Sequence, residues 1–185
     1  DIYNIVFNMQ QAAFSFCSPG KSYKEAHNKS AKIAVEGLSS IGIMKGNSSD
    51  AVDAGAHALF FPHGLGHMLG LDVHDMEGLG EDLVGYDNKS ERSDQFGLAY
   101  LRLAKKLEIG FVLTVEPGIY FIPSLIDQWE AENKHRDFIN YDALKTFKDF
   151  GGIRIEDNIV ITEDGYRLLG PPIASTIDDI EAVMA

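Results

Sequence analysis

The order of periodicities along this 185-residue chain predicts an α+β domain, with helices packed on one face of an antiparallel sheet. Apolar residues recur at three- and four-residue spacing as far as Ala58. Runs of β-branched residues with alternating faces follow at Phe111–Tyr120 and Gly152–Thr162. The two patterns are segregated rather than interleaved, and no internal repeat is present. With 45% apolar and 10% aromatic residues, the chain can bury a core of its own, so residues 1–185 read as one unit.

The first helix is expected over Ile2–Phe16, on the spacing of Ile2, Ile5, Val6, Met9, Ala12 and Ala13, with Ser18-Pro19-Gly20 as its stop. A second begins near Ser22, runs through Ala31, Ala34, Val35, Leu38 and Ile41, and closes at Gly42; the short link makes the two antiparallel. A third is expected over Ser49–Ala58, with Ser48 or Ser49 as cap and Asp50 in its first turn. Residues Phe60–Gly80 are rich in glycine and histidine. Gly78–Gln95 is polar and acidic without period, hence a long loop. Between the two β-runs, Pro123–Phe150 reads as a surface insertion near a site, with short helices at Asp127–Glu132 and Tyr141–Phe147 and with Trp129 and Tyr141 as candidate walls. Because Asp1 enters an amphipathic pattern at once, the chain is expected to be part of something longer.

Composition excludes some partners. The 16 Lys+Arg against 28 Asp+Glu leave a net charge of -12, which opposes nucleic-acid backbones and anionic membrane surfaces. No run of about 18 apolar residues exists to span a bilayer. The single Cys17 cannot form an internal disulfide and is expected to be a buried structural thiol, in keeping with a reducing, cytoplasmic location.

Three segments carry side chains suited to chemistry. In His63-Gly64-Leu65-Gly66-His67, a helix would align the two histidines like a zinc pair, but both glycines disfavour a helix and the glutamate of such a motif is absent. An extended or turning backbone lets His63, His67 and the nearby His74 converge, while the glycines admit a ligand or a neighbouring strand. In Thr114-Val115-Glu116-Pro117-Gly118-Ile119-Tyr120, alternation sets Thr114 and Glu116 opposite Leu113 and Val115, and Pro117 ends the ladder. A carboxylate among core residues is costly unless paired or bound to a metal; an exposed edge-strand glutamate is the alternative. In Gly152-Ile153-Arg154-Ile155-Glu156-Asp157, Arg154 and Glu156 share a face, and a simple Arg–Glu pair would also account for them. Histidine nitrogen with two carboxylates suits Zn, Mn, Co or Fe(II), and two such ions activate water and polarise a carbonyl.

The ordered set HGLGHMLGLDVHD, TVEPGIY and GIRIEDNIVIT resembles the pita-bread-fold metallopeptidases, which include methionine aminopeptidase, prolidase, creatinase and Xaa-Pro aminopeptidase, and most resembles the Xaa-Pro aminopeptidase and prolidase branch. The resemblance implies the C-terminal half of that curved-sheet domain. It also implies His67, Glu116 and Glu156 as ligands of two divalent ions, manganese first and zinc or cobalt as alternatives. Glu116 would double as general base, His63 and His74 would contact substrate or move protons, and Arg154 would orient the carboxylates. The family's two aspartate ligands have no counterpart here and would lie upstream, so the chain alone should bind metal weakly and hydrolyse little.

The implied activity is removal of an N-terminal residue preceding proline. Prolidase action on Xaa-Pro dipeptides, or a non-catalytic peptide-binding module, are the alternatives. Glu116 and Glu156 facing one site would favour protonation of one of them, and uncovered apolar surface would favour self-association; the intact protein is expected to be a homo-oligomer.

Overall fold

The computed structural model describes residues Asp1–Ala185. The first helix, α1 (Ile2–Phe16), and the second, α2 (Tyr23–Ser40), form an antiparallel pair whose facing stripes are buried. Val6 and Met9 of α1 and Val35 and Leu38 of α2 are completely inaccessible. The helices approach so closely that a Cβ on Gly37 would lie 2.7 Å from the Ile5 side chain. Both bounds agree with the periodicity. Cys17, expected to be buried, follows α1 and is 2% exposed; burial pushes its thiol up to about 12, leaving it inert at neutral pH.

The third helix departs from expectation. Helix α3 covers only Ser48–Asp53, because Gly55 takes a left-handed φ of 81° and a separate 3-10 turn carries Ala56–Leu59. Its cap is Asn47, whose side-chain oxygen accepts from the backbone N–H of Ser49 and Asp50, and not either serine.

Each β-run is broken in two. Residues Val112–Val115 form β1 and Gly118–Phe121 form β2, while Gly151–Arg154 form β3 and Asp157–Thr162 form β4. Strand β1 pairs with β4 and β2 with β3, all antiparallel, so the two runs lie side by side and change sheets together. The break falls at Glu116-Pro117 on one run and Ile155-Glu156 on the other. Pro117 has no N–H to give the ladder, and the Ile155 N–H donates instead to the Pro117 carbonyl at 3.3 Å. Both glutamates thus occupy the break rather than the face of a continuous strand.

A fifth strand, β5 (Gly165–Leu168), completes the three-stranded sheet in the order β1-β4-β5, and Asp164-Gly165 is the hairpin signal at its turn. The acidic segment after Gly78 is not wholly irregular, since α4 (Glu81–Gly85) lies in it. Helix α5 (Pro123–Ala131) starts earlier than expected, with Pro123 at its first turn, and α6 (Tyr141–Leu144) is shorter. The segment holding them is not a surface insertion: Ile126, Trp129, Tyr141 and Leu144 all belong to the main core, and neither Trp129 nor Tyr141 lines the cavity described below. The final helix, α7 (Ile177–Met184), has no buried residue. No helix is long and apolar enough to cross a membrane.

Two glycines set the approach of chain segments behind the histidine motif. A Cβ on Gly66 would lie 2.1 Å from the Thr114 carbonyl oxygen, and one on Gly64 would lie 3.0 Å from Leu101 Cα. Gly66→Ala is therefore expected to push β1 away and cost about 1–3 kcal/mol in urea unfolding. Gly78→Ala, with nothing within 4 Å of the new methyl, should be nearly neutral. Equal stability of the two variants would refute the close-approach argument.

Two core histidines, His27 on α2 and His57 on the 3-10 turn, are buried with all four ring nitrogens unpartnered. Their surroundings offer no negative charge: His57 faces His135, and His27 faces His57, His63 and Lys24. Burial pushes His57 down from 6.5 to about 4 and holds His27 well below the ordinary imidazole value. Both stay neutral in the folded chain while the unfolded chain takes up protons below about pH 6.5. Stability should be full above that pH and should fall as the pH drops toward 4, by about 3 kcal/mol from His57 alone. Urea midpoints between pH 7 and 4 should fall less steeply for His57→Gln than for the native chain; parallel slopes would exclude this source.

Candidate metal centre

A cavity of about 380 Å³ opens where the histidine motif meets the broken strands. Its walls include His63, His67, His74, Glu116 and Arg154, five of the six candidates named from sequence. Glu156, the sixth, is exposed at the neighbouring strand break and does not line the cavity.

His67 is placed by main-chain pairing with β1. Its N–H donates to Thr114 Oγ1 at 3.0 Å and its carbonyl accepts from the Thr114 N–H at 3.0 Å. Thr114 passes this order on, because its hydroxyl donates to Glu116 Oε1 at 3.1 Å. The Glu116 N–H is itself held by the Leu65 carbonyl at 2.8 Å. Glu116 is 7% exposed. Its Oε1 faces His67 Nε2 at 3.2 Å, and its Oε2 accepts from Arg154 Nη1 at 2.5 Å. Arg154 Nε donates to the Tyr120 hydroxyl, so the guanidinium is fixed from two sides. The arginine therefore pairs with Glu116 on the facing run and not with Glu156 two residues along its own.

The charges follow from these contacts. Burial alone would raise the Glu116 carboxyl, but the bonds from His67, Arg154 and Thr114 outweigh it and hold the group below the usual carboxylate range. Burial alone would lower His67, and the contacts to Glu116 and the Met68 carbonyl outweigh it and raise the imidazole. Glu156 is pushed up by partial desolvation and by the charge of Glu116. Of the two carboxyls it is the one more readily protonated, with desolvation the larger cause, although the two do not line one cavity.

Both ring nitrogens of His67 face acceptors: Nδ1 lies 2.9 Å from the Met68 carbonyl, and Nε2 faces Glu116. A hydrogen on Nδ1 satisfies the carbonyl and leaves the Nε2 lone pair directed at a carboxylate oxygen. That position calls for a positive charge, which a proton or a divalent cation can supply. The donor chemistry of His67 and Glu116 thus fits a metal, with the imidazole oriented from behind by a backbone carbonyl. No set of three or more His, Cys, Asp or Glu side chains is drawn together.

His63 and His74 flank this pair differently. The His63 ring is wedged edge-on between Phe61 and Tyr120, with centroids 4.9 and 5.4 Å away. Its Nδ1 lies 2.8 Å from the Gly64 carbonyl, and its buried Nε2 has no partner. Burial, with Arg154 nearby, pushes it down to about 4, so it is neutral at pH 7. The His74 ring stands perpendicular to His67, 4.4 Å between centroids, and its Nδ1 lies 3.1 Å from Arg102. Sequence reasoning missed Tyr100, Arg102 and Tyr120. The first two come from an unperiodic segment and reach the cavity only because Gly64 admits their backbone; Tyr120 was visible in its motif but had no partner until Arg154 was placed beside it.

The profile described as Metallopeptidase family M24 matches residues 1–163. Human Xaa-Pro dipeptidase is 41% identical over 184 residues, 100% of this chain and 36% of that protein. A protein of Botryotinia fuckeliana named as a probable Xaa-Pro aminopeptidase is 39% identical over 183 residues, 99% of this chain and 38% of its own length. The structure of zinc-substituted Escherichia coli aminopeptidase P in complex with product superimposes with a TM-score of 0.70 at 36% identity, covering 99% of this chain and 33% of that one. The chain thus spans about a third of the length of these relatives. Its mixed helices and antiparallel sheets are those of the aminopeptidase P fold, and the chain belongs to metallopeptidase family M24.

Proposed function

We propose that these residues form the histidine-and-glutamate side of a divalent-metal peptidase that hydrolyses the bond between an N-terminal residue and a following proline. The observation that carries this is His67 Nε2 facing Glu116 Oε1 across 3.2 Å in a cavity that also holds His63 and His74. Relatives named Xaa-Pro dipeptidase and Xaa-Pro aminopeptidase support the choice of substrate.

His67 and Glu116 would hold the metal, with Glu156 joining from the rim and further carboxylates supplied by parts of the protein outside these 185 residues. Imidazole and carboxylate donors suit manganese, which we place first, as well as zinc and cobalt. Bound there, divalent ions polarise the substrate carbonyl and acidify water. Glu116, low in pKa and therefore ionised, takes a proton from the attacking water and delivers it to the departing imino nitrogen of proline. Arg154 holds the Glu116 carboxylate in place through that transfer. Neutral His63 offers its free Nε2 to a substrate N–H, and His74 stands beside His67 at the mouth. The intact protein is expected to be a homo-oligomer acting on soluble peptides.

One observation favours the dipeptide variant of this reading. Arg102 brings a second guanidinium into the cavity wall beside His74, anchored by Glu77, where it could meet the free carboxylate of an Xaa-Pro dipeptide. A longer peptide has no carboxylate at that place.

Manganese calorimetry on this chain and on the full-length protein, with hydrolysis of Ala-Pro and Ala-Pro-Ala followed in both, tests the proposal. The full-length protein should bind two ions and cleave, and Glu116→Gln in it should lower kcat about a thousandfold. The 185-residue chain should bind weakly and not cleave. Tight binding of two ions by this chain alone would overturn the division of ligands. Arg102→Met should raise KM for Ala-Pro while sparing Ala-Pro-Ala if dipeptides are the substrate.

A further inference from the structure

The cavity walls carry three imidazoles, a carboxylate and two guanidinium groups, with Pro62 and one phenol ring beside them. That ring is Tyr100, 56% exposed and placed at the cavity wall. It is not loosely held. Phe96 meets it edge-on with centroids 5.9 Å apart, and Phe96 in turn meets Trp129 edge-on at 5.7 Å. Trp129 is 2% exposed and lies in the main core on α5, with Lys134 over its ring at 4.2 Å. Tyr100 is therefore the outermost member of an aromatic row that starts in the core.

The backbone aims it. Gly97, at φ 90°, turns the chain after Phe96, and a 3-10 turn over Leu98–Tyr100 brings Tyr100 back alongside Phe96. Leu101 is extended, with φ -73° and ψ 113°, and buried at 1%. In an extended segment the side chains on either side of a buried residue point together, so Tyr100 and Arg102 both line the cavity. The absence of a Cβ on Gly64 lets this backbone lie against the histidine motif.

We propose that Tyr100 is a specificity-determining residue whose ring packs on the pyrrolidine ring of the substrate proline. This rests on the peptidase reading above and deepens it. An aliphatic ring of that size is well matched by an aromatic face, as in the aromatic-lined grooves that recognise proline-rich peptides. Most of its neighbours in the cavity carry polar groups suited to the polar parts of the substrate. A rigid aromatic wall costs little ordering on binding, because its position is set in advance by Phe96 and Trp129.

The test compares proline with sarcosine, which keeps the tertiary amide and lacks the ring. The metal-loaded full-length enzyme, Tyr100→Ala and Tyr100→Phe are assayed on Ala-Pro against Ala-Sar and on Ala-Pro-Ala against Ala-Sar-Ala. Tyr100→Ala should raise KM for the proline substrates about tenfold and leave the sarcosine substrates within about twofold. Tyr100→Phe, which keeps the ring, should behave as the native enzyme, and Phe96→Leu should shift KM in the direction of Tyr100→Ala. Equal losses on proline and sarcosine substrates, or no change on either, would overturn the assignment to the proline ring. If the native enzyme cleaves none of the four peptides, the peptidase reading itself has failed and takes this inference with it.

Discussion

A carboxylate cannot be left in a protein interior without compensation, and much of the geometry around the cavity follows from supplying it to Glu116. Its two oxygens meet three side chains, His67 and Thr114 on one and Arg154 on the other, and each of these is secured elsewhere. Thr114 is locked into the pairing of β1 with the histidine motif, Arg154 into Tyr120, and His67 into the Met68 carbonyl. Removing any one of them would leave a buried acceptor short of a partner, the case in which a hydrogen bond matters most.

The backbone makes that arrangement possible by interrupting itself. A continuous strand through Glu116 would place the carboxylate on a packed face and commit its neighbours to ladder bonds. Pro117 prevents this, and the partner run breaks at the same level, so Glu116 and Glu156 both emerge where no ladder competes. The glycines of the histidine motif serve the same end. Gly66 admits β1 and Gly64 admits the Tyr100–Arg102 segment, and the cavity is the space left between these close approaches.

Much of this could be read in advance. The paired helices, the two β-runs and the convergence of His63, His67 and His74 follow from periods and local composition, which need no knowledge of distant partners. What escaped depends on contacts remote in sequence. The break in the second run has no proline of its own and sits opposite the one at Pro117, the end of α3 is set by the left-handed Gly55, and Trp129 and Tyr141 lie in a segment that is polar around them although both are buried. Alternation on one strand places Arg154 beside Glu156 and leaves a simple pair open, whereas the carboxylate it meets, Glu116, lies 38 residues away. Tyr100 and Arg102 carried no local signal; only the space above Gly64, a property of the folded backbone, reveals why they are there.

The two sides of the cavity differ in how firmly they are held, and the difference suits the division of roles. His67 and Glu116 sit on chain that is buried and hydrogen-bonded into β1, so their separation is set by the core. His74 and Arg102 are partly exposed and tied chiefly to each other and to Glu77 on the segment where Leu71, Val73 and Met76 also stand open to solvent. Groups with few buried contacts reorganise at low cost. A metal needs donors fixed to within a fraction of an ångström, whereas a substrate must enter and leave. Under the proposed reading the side held by the core is the one suited to ligands and the more open side the one suited to the mouth, and Tyr100, exposed at its face but packed through Phe96 against Trp129, stands between them.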